Sequence, residues 1–557
     1  MFSEDPLALQ IIAFYDELEL CNPLGSSIKK HKLGVIFFTL GNIHPKFRSQ
    51  LRVINLSTVA TYPIIEKHGL DCILKPFVQD LNVLSTTGLE VEIGGVKRTF
   101  RGALLAFLAD NLASHGLGGF KMSFSFSFRS CRVCMATVSG YSSSFCHRDF
   151  EERTNEKHRK QCDELEGPLK DHYSKIYGVN RKSILLDVAY FSMFGGGLPL
   201  DAMHDILEGV AQYEIKLLLT HCISTCSYIT LQEYNNRLQR FDFGYSQTDK
   251  PPPLTKHVIT SDDKHLRMSA SQVIVLARNL PFLIGDLVPE DHDQNWKCFL
   301  ILLKIIQITT SNVSSCSVCA VLKLAIQEHH TMFVALYGAT SLTPKMHFLI
   351  HYPQQILAVG PMVRTWNMRH EAKLSFFKRA SHLGNFINIA STLANRHQRW
   401  LCYEMSSREL LHTALECGPV QSISVVEGES DSIKSIILGM SGAISLSTTI
   451  SRPNWVKQNG IMYKKNNCFV VTGFDGLEPS FGRIDDILVL PGELVLFVVM
   501  HCPVIYFDDH YNAYVIDVSS QRKLIQADSL LDPFVLHTHK LFDKSDTVFI
   551  SLKFYIF

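Results

Sequence analysis

Two pairs of zinc-type ligands lie far apart in this chain of 557 residues: Cys131-x2-Cys134 and His347-x3-His351. The first spacing is typical of half a zinc site, and a structural zinc ion needs four ligands. In a helix, the i, i+4 spacing of the second pair places both imidazoles on one face. If the two pairs bind one ion, the fold must bring residues 347–351 back beside residues 131–134, and the segment between them is an insertion. No other feature of the sequence would constrain the fold as strongly.

The cysteine pair also has a candidate partner close by. His158-x3-Cys162 would complete an ordinary local zinc-finger spacing with it. The chain contains 15 cysteines and 24 histidines, so close pairs arise by chance as well. The pair at His347 and His351 could equally be two core or surface histidines. Spacing alone leaves these interpretations open.

Two aspartates close short apolar runs. Asp16 ends the run that starts at Leu9, and Asp110 ends the run that starts at Ala103. A buried strand of this kind would lift each carboxylate to the edge of a sheet, although Asp is also common where a turn begins. Carboxylates that converge on two divalent ions, Mg²⁺ or Mn²⁺, are what phosphodiester cleavage needs.

Glu371 is the candidate for a third carboxylate, and it lies 20 residues after His351. Its segment is rich in cations suited to phosphate contacts. These cations are Arg364, Arg369, Lys373, Lys378 and Arg379. The alternative interpretation is a solvated amphipathic helix.

A rival acidic group lies at Asp201, Asp205 and Glu208, and its spacing would place the three on one helix stripe with His204. Glu208 is therefore an alternative third acid. The group could instead favour a helix N-terminus through the dipole. A further alternative is an unrelated metal hydrolase centred on His204, Asp205 and Glu208.

The first hundred residues predict a mixed α/β fold. Apolar runs predict strands over 9–14, 33–40 and 52–60, a helix over 62–84, a hairpin around 93–96 and a strand at 103–110. Three strands, a helix and a fourth strand match the opening order of an RNase H-like fold. The acids at 16 and 110 would then belong to one sheet.

The rest of the chain predicts a large helical and zinc-binding insertion and a small C-terminal β-barrel. The predicted domains are a first core part (1–120), a cysteine-bearing zinc insertion (121–200), a helical insertion (201–340), a closing core part (341–415), a Gly/Ser-rich linker (416–458) and the β domain (459–557).

Bulk composition gives little sign of a partner. The formal net charge is +1, from 54 basic and 53 acidic residues, so DNA contact would depend on local patches. The N-terminus lacks the basic and apolar regions of a signal peptide. The longest apolar stretch, 487–507, is broken by Pro and charged residues and predicts strands. We expect a protein that is not secreted and has no membrane partner.

Eight longer motifs resemble the CACTA-type (EnSpm-like) cut-and-paste transposases found in animal genomes. They are Asn22-Pro-Leu-Gly-Ser, Ala109-Asp-Asn-Leu-Ala-Ser-His-Gly, Cys131-Arg-Val-Cys134, Leu198-Pro-Leu-Asp-Ala-Met-His-Asp-Ile-Leu-Glu-Gly209, Thr343-Pro-Lys-Met-His-Phe-Leu-Ile-His-Tyr-Pro353, Gly360-Pro361, Met368-Arg-His-Glu-Ala-Lys373 and Leu393-Ala-Asn-Arg-His-Gln398. The resemblance covers about 10–415, and 480–557 resembles the region that follows this core in plant relatives.

The resemblance implies an RNase H-like core with a DDE triad at Asp16, Asp110 and Glu371 that binds Mg²⁺ or Mn²⁺. It also implies that Cys131, Cys134, His347 and His351 bind one structural zinc ion. That order favours the split zinc site over His158 and Cys162, and Glu371 over Glu208. Transposon-end DNA, a homo-oligomer and a nuclear location are the implied partners and setting.

A second hypothesis is a non-catalytic DNA- or protein-binding protein that keeps the transposase fold. Asp16 lies so close to Met1 that no upstream DNA-binding module is expected. The near-zero net charge favours the same hypothesis.

Overall fold

The computed structural model describes residues 1–20, 32–122, 128–290, 292–381, 387–406, 411, 414–440, 444–517, 519, 521–541 and 547–556. The Asn22-Pro-Leu-Gly-Ser motif lies outside these residues. The chain divides into two compact units. The first unit consists of Met1–Val210 and Thr309–Leu411, and the second of Ala211–Ile308 and His412–Phe557.

The strands are numbered in chain order. They are β1 (Leu9–Glu19), β2 (Lys32–Leu40), β3 (Asn55–Thr61), β4 (Leu89–Ile93), β5 (Val96–Phe100), β6 (Gly102–Leu108), β7 (Glu416–Cys417), β8 (Val420–Val425), β9 (Thr449–Pro453), β10 (Trp455–Gln458), β11 (Ile461–Lys464), β12 (Phe469–Asp475), β13 (Glu478–Leu490), β14 (Leu494–Cys502), β15 (Val504–Asp508), β16 (Ala513–Ile516), β17 (Arg522–Gln526), β18 (Asp532–Leu536), β19 (Thr538–His539) and β20 (Val548–Ile550).

The α-helices follow the same convention. They are α1 (Pro45–Arg48), α2 (Tyr62–His68), α3 (Asp71–Thr86), α4 (Asn111–Gly118), α5 (Asn155–Glu164), α6 (Lys170–Tyr177), α7 (Ala211–Thr220), α8 (Leu231–Arg240), α9 (Lys256–Thr260), α10 (Ala270–Ile284), α11 (Gln294–Thr309), α12 (Cys316–Tyr337), α13 (Pro344–Leu349), α14 (Tyr352–Val359), α15 (Met368–Ser381), α16 (Ile389–Ser406) and α17 (Asp431–Met440). Two segments, Met203–Val210 and His221–Thr225, are π-helical.

The first unit is built on a four-stranded sheet in the order β3-β2-β1-β6. The strands β1, β2 and β3 form an antiparallel meander, whereas β6 returns beside β1 in the parallel direction. A parallel neighbour needs a crossover connection, and α2, α3 and the β4–β5 hairpin provide it.

Side-chain alternation along β1 buries both faces of this sheet. Ile11 and Ala13 pack toward α3, while Ile12 and Phe14 pack toward α15 and α16. Burying each large aliphatic or aromatic side chain contributes about 1.5 to 3 kcal/mol. The sheet is thus fixed between two helical layers, and any polar residue on the Phe14 face points toward α15.

The second unit combines helices α7 to α11 with the C-terminal strands. Its largest sheet has the order β17-β14-β13-β12-β18, and β9 joins β8 to β13. Two smaller sheets run β11-β10-β7 and β15-β16-β20-β19. The α10 residue Phe282 packs in one cluster with Tyr511 and Phe549, so these helices and strands share a core.

Three predictions about this part of the chain were wrong. The described strands form open sheets and close no barrel, because closure depends on pairing between the first and last strands, which local patterning does not encode. The predicted linker 416–458 contains β7 to β10 and α17, and β9 pairs with β8 and β13. The predicted helical insertion 201–340 is divided, since 211–308 belongs to the second unit and 309–340 to the first.

Within the described ranges, none of the helices has both the length and the apolar character needed to span a lipid bilayer.

Candidate metal centre and acidic cluster

Cys131, Cys134, His347 and His351 come together in the first unit, and all four side chains are buried. Their ligand atoms all lie within 4.8 Å of one another. Each cysteine Sγ is close to one histidine Nε2, at 3.4 Å for Cys131 and His351 and 3.2 Å for Cys134 and His347. The two Nε2 atoms are 3.4 Å apart. Tetrahedral zinc, with bonds of about 2.3 Å to sulfur and about 2.0 Å to nitrogen, needs separations of about 3.3 Å between two nitrogens, about 3.5 Å between nitrogen and sulfur and about 3.8 Å between two sulfurs. The cluster can therefore hold a metal ion such as zinc.

The protonation state of Cys131 also suits a metal. Burial by itself would raise the pKa of the thiol, but the hydrogen bond with Cys134 and the charge of His351 hold that pKa well below its usual value. The thiolate is the form of cysteine that binds metals.

A second layer of side chains orients both imidazoles. His351 Nδ1 lies 2.6 Å from Nδ1 of His147, and His147 Nε2 lies 2.7 Å from Glu152 Oε1. His147 and Glu152 thus hold Nδ1 of His351, the ring nitrogen that faces away from the cluster. Metal-binding histidines usually have such a partner on the nitrogen that does not bind the metal. The ring of His347 stacks on Tyr141 with centroids 4.0 Å apart. The sequence analysis missed His147 and Glu152, although both lie in the predicted zinc segment.

The turn that carries the cysteines is held by one buried arginine. Arg153 Nε donates to the carbonyl oxygens of Cys131 and Cys134, at 3.1 Å each, and the Arg153 main-chain N–H donates to Val133. These bonds satisfy carbonyl groups that would otherwise be buried without partners. They also fix the two thiols on the same side of the turn.

The histidines do not lie on one continuous helix as predicted. Helix α13 ends at Leu349, because Pro353 has no N–H to donate to the Leu349 carbonyl. His351 is the residue that precedes α14. The turn between the two helices still leaves the imidazoles facing each other.

The local alternative ligands lie elsewhere. His158 Nε2 is 3.2 Å from the carbonyl oxygen of Gly118, and Cys162 Sγ donates to the carbonyl of Arg181. Both side chains are buried. They are hydrogen-bonded core residues of α5, and the structure does not bring them to Cys131 and Cys134.

Asp16 lies in β1, and Asp110 lies two residues beyond the end of the neighbouring parallel strand β6. Phe14 of β1 pairs with Leu108 at the end of β6, so two further residues along each chain place the carboxylates side by side. Asp16 does not end its strand as predicted, since β1 continues to Glu19. It shares the face of Phe14, which α15 covers. Burial raises the pKa of Asp16 to about 6, and the negative charge of Asp110 adds to the shift.

Asp110 also has the local role that the alternative interpretation predicted. It is the N-cap of α4, and its Oδ1 accepts a hydrogen bond of 2.6 Å from the Ala113 N–H. This bond fixes the carboxylate at the end of β6.

Glu371 lies in the first turn of α15, beside the same face of the sheet. The neighbouring His370 ring stacks on Phe14 with centroids 4.8 Å apart. Burial raises the pKa of Glu371 to about 7; the charge of Asp16 adds to this shift, and His204 opposes it. The structure therefore brings Asp16 and Glu371 into one partly buried cluster with Asp110.

His204 is the cation of this cluster. Its Nε2 is 3.4 Å from Glu371 Oε1 and 3.9 Å from Glu208 Oε2. Burial lowers the pKa of His204, but the hydrogen bond to Asp201 and the charges of Asp201, Glu371 and Glu208 outweigh burial and raise it to about 9. The imidazole is thus protonated near neutral pH and offsets part of the negative charge.

The rival acids do not share one stripe, because Met203–Val210 is a π-helix with wider turns than an α-helix. Asp201 precedes it and uses both oxygens: Oδ1 accepts from the Asn367 N–H at 3.1 Å, and Oδ2 lies 2.5 Å from His204 Nδ1. Asp201 therefore connects His204 to the start of α15, which carries Glu371. Glu208 remains beside His204, and the fold leaves it available as an alternative acid.

Asp205 belongs to a buried polar network that connects the metal cluster to the acids. Arg132 Nη1 donates to Asn111 Oδ1 at 2.7 Å, Asn111 Nδ2 donates to Asp205 Oδ1 at 2.5 Å, and Tyr352 donates to Asp205 Oδ2 at 3.1 Å. Each member adjoins a site residue in the chain: Arg132 follows Cys131, Asn111 follows Asp110, Asp205 follows His204 and Tyr352 follows His351. That adjacency is the signal by which the sequence could have identified the network.

We expect Arg132→Met to lower the free energy of unfolding of the first unit by about 3 to 5 kcal/mol, because Asn111 Oδ1 would be left buried without its charged donor and Asp205 would lose one of the two cations that stabilise its charge. The carbonyls of Leu198 and Pro199 would also lose the bonds that Arg132 donates to them. Urea unfolding followed by circular dichroism measures the loss. The control is Arg148→Met, which removes the same charge from an exposed position; equal stabilities of the two variants would contradict the network's role.

Most of the cations predicted to suit phosphate already form hydrogen bonds with main-chain carbonyl groups of the first unit. Lys373 is buried, donates to the Leu51 carbonyl at 2.7 Å and lies over the Trp400 ring. Arg369 and Arg364 donate to other main-chain carbonyls. Lys373 is therefore not available for the phosphate contacts that the sequence of its segment favours, because its ammonium group is used inside the unit. Lys378 and Arg379 are exposed.

No protein-family model matches this chain, and no curated protein is significantly similar to it.

Proposed function

We propose that the chain is a transposon-derived, DDE transposase-like protein that cleaves DNA strands and transfers them in a metal-dependent reaction. Its partner would be transposon-end DNA, bound by a homo-oligomer in the nucleus. The proposal takes the first unit as an RNase H-like core. The strand order β3-β2-β1-β6, with β1 and β6 parallel, supports that assignment.

The convergence of three acids from distant parts of the chain carries the proposal. Asp16 comes from β1, Asp110 from the residues that follow the adjacent strand β6, and Glu371 from the helix that covers the Phe14 face. Carboxylates are costly to bury together, so such a cluster needs a compensating cation. Perturbed acids of this kind are typical of functional sites.

The donor set suits Mg²⁺ or Mn²⁺, which prefer oxygen ligands. Asp16, Asp110 and Glu371 would hold these ions, which supply activation of water or a 3′-hydroxyl and stabilisation of the leaving oxygen. The raised pKa values of Asp16 and Glu371 fit a cation site, because a bound cation would favour their charged forms.

The remaining residues would position the acids. Asp201 would hold the first turn of α15 through the Asn367 N–H, and so set the place of Glu371. His204 would keep its proton toward Glu371 and limit repulsion among the carboxylates. The metal cluster would tie 131–134 to 347–351 and anchor the chain that leads into α15.

The experiment is a plasmid-nicking assay with supercoiled DNA, in Mg²⁺ or Mn²⁺. We expect Glu371→Gln to lower the cleavage rate by at least about a hundredfold, since it removes a metal-binding charge and keeps the side-chain shape. The matched variant is Glu208→Gln, the rival acid beside His204, which should retain cleavage.

Undiminished cleavage by Glu371→Gln would contradict the assignment of Glu371 as the third acid. Loss of cleavage in Glu208→Gln alone would move the third acid to Glu208. A folded wild-type protein that nicks no DNA in either metal would favour the non-catalytic alternative, a binding protein that keeps the transposase fold.

A further inference from the structure

A second cluster of mixed ligand atoms lies in the second unit, at His221, Cys226 and Asp293. One ligand atom from each residue falls within 4.8 Å of the others. Asp293 Oδ2 is 2.7 Å from His221 Nε2, and Cys226 Sγ is 3.5 Å from the same nitrogen. The Asp293 side chain is 3% exposed and that of His221 is 19% exposed, so the cluster lies at the edge of the core.

Both partners approach one nitrogen of the ring. A cysteine–histidine–aspartate relay would place the thiol and the carboxylate on opposite ring nitrogens, because the proton must pass through the imidazole. Here Cys226 Sγ is closer to Nε2 than to Nδ1, at 3.5 Å against 3.9 Å. Three ligand atoms that face one point are the arrangement expected of a metal site.

The fold holds these donors in place. Asp293 Oδ1 caps α11 by accepting from the Asn295 and Trp296 N–H groups, at 2.9 and 3.0 Å. Oδ1 is therefore engaged by main-chain N–H groups, and Oδ2 is the carboxylate oxygen that faces His221. The cap is therefore a rigid support for the third donor.

On the other side, the π-helix His221–Thr225 and a positive φ of 55° at Ser227 fold the chain so that Cys226 returns to His221. A left-handed conformation is unfavourable for serine and persists where the surroundings impose it. Tyr228, the next residue, is hydrogen-bonded to both Cys226 and Asp293. The Asn295 amide is 3.3 Å from His221 Nε2.

We propose that His221, Cys226 and Asp293 bind a second transition-metal ion, most suitably zinc. Sulfur, imidazole and carboxylate are all zinc ligands, and three of them leave a fourth position for water on the exposed side. Hard ions such as Mg²⁺ would not select a thiolate. The site is separate from the DDE acids and does not depend on the proposed function.

The test is the zinc content of the full chain, purified in zinc and measured by mass spectrometry after gel filtration. We expect two zinc ions per wild-type chain, one from the Cys131 cluster and one from this site. Cys226→Ser should bind one. Asp293→Asn should also lose one, or bind it at least tenfold more weakly, while asparagine keeps the cap of α11. Cys72→Ser, which removes an exposed thiol, should keep both.

Cobalt substitution gives an independent readout. Thiolate-to-cobalt absorption should be weaker in Cys226→Ser than in the wild type, because the Cys131 cluster would supply the remaining thiolates. The same zinc content and cobalt spectrum in wild type, Cys226→Ser and Asp293→Asn would overturn the proposal. Loss of zinc from Asp293→Asn with an unchanged thermal unfolding temperature before zinc is added would separate metal binding from helix capping.

Discussion

A Cys131→Ser variant will lose one zinc ion and lower the free energy of unfolding of the first unit by at least about 5 kcal/mol. The four ligands are buried, and they join two segments more than two hundred residues apart in the chain. Without the ion, two imidazoles and a thiol remain in a site with little water. A loss of this size lowers the midpoint of thermal unfolding by roughly 8 °C for a unit of this length.

Scanning calorimetry and zinc analysis measure this effect together. The control is Cys402→Ser, an exposed cysteine of the same unit. A chelator should lower the wild-type unfolding temperature toward that of Cys131→Ser and leave the variant unchanged. Retention of the zinc and of the wild-type unfolding temperature by Cys131→Ser would show that the four residues are an ordinary buried cluster.

Asp16→Asn is expected to change activity and stability in opposite directions. Cleavage should fall at least about a hundredfold, because the variant loses a charge that would bind a metal ion. Stability at pH 8 should rise by about 1 to 2 kcal/mol. The full pKa shift corresponds to about 3 kcal/mol, which is a ceiling for a half-buried group. Asparagine can still accept the hydrogen bond that Asp16 receives from the Glu17 N–H.

The pH dependence of this gain follows from the direction of the shift. The pKa of Asp16 rises from 3.8 to about 6 on folding, so ionisation weakens the wild-type fold as the pH increases through that interval. The advantage of Asp16→Asn should be full above pH 6 and vanish below pH 4. Urea unfolding at pH 4 and pH 8, without divalent metal, measures it. Asp80→Asn, at an exposed position of α3, should show no such gain.

The sequence predicted the main sheet because its signal is local. The apolar runs at 9–14, 33–40 and 103–110 became β1, β2 and β6, and the helical pattern over 62–84 became α2 and α3. Segment 416–458 misled the prediction for a physical reason. Most side chains of β8 are exposed, so its order comes from main-chain bonds to β9 rather than from an apolar pattern.

The cluster of Cys131, Cys134, His347 and His351 could be predicted from the family resemblance, whereas the spacings by themselves left other ligand sets open. The roles of the surrounding residues could not. Asp201, Asp205 and Glu208 are close in sequence, but Asp205 is bonded to Asn111 and Tyr352, whereas the other two acids lie beside His204. Such assignments depend on long-range packing, which no short window of sequence contains.

The position of the polar network has a consequence for how the chain would respond to its ionic surroundings. Arg132, Asn111, Asp205 and Tyr352 join the residues beside the thiolates and imidazoles to the residues beside the carboxylates. Under the proposed function, a soft metal ion and a hard one would be bound at opposite ends of this hydrogen-bonded network. Removal of zinc would then abolish the magnesium-dependent activity even when magnesium is abundant, and added magnesium would not restore that activity.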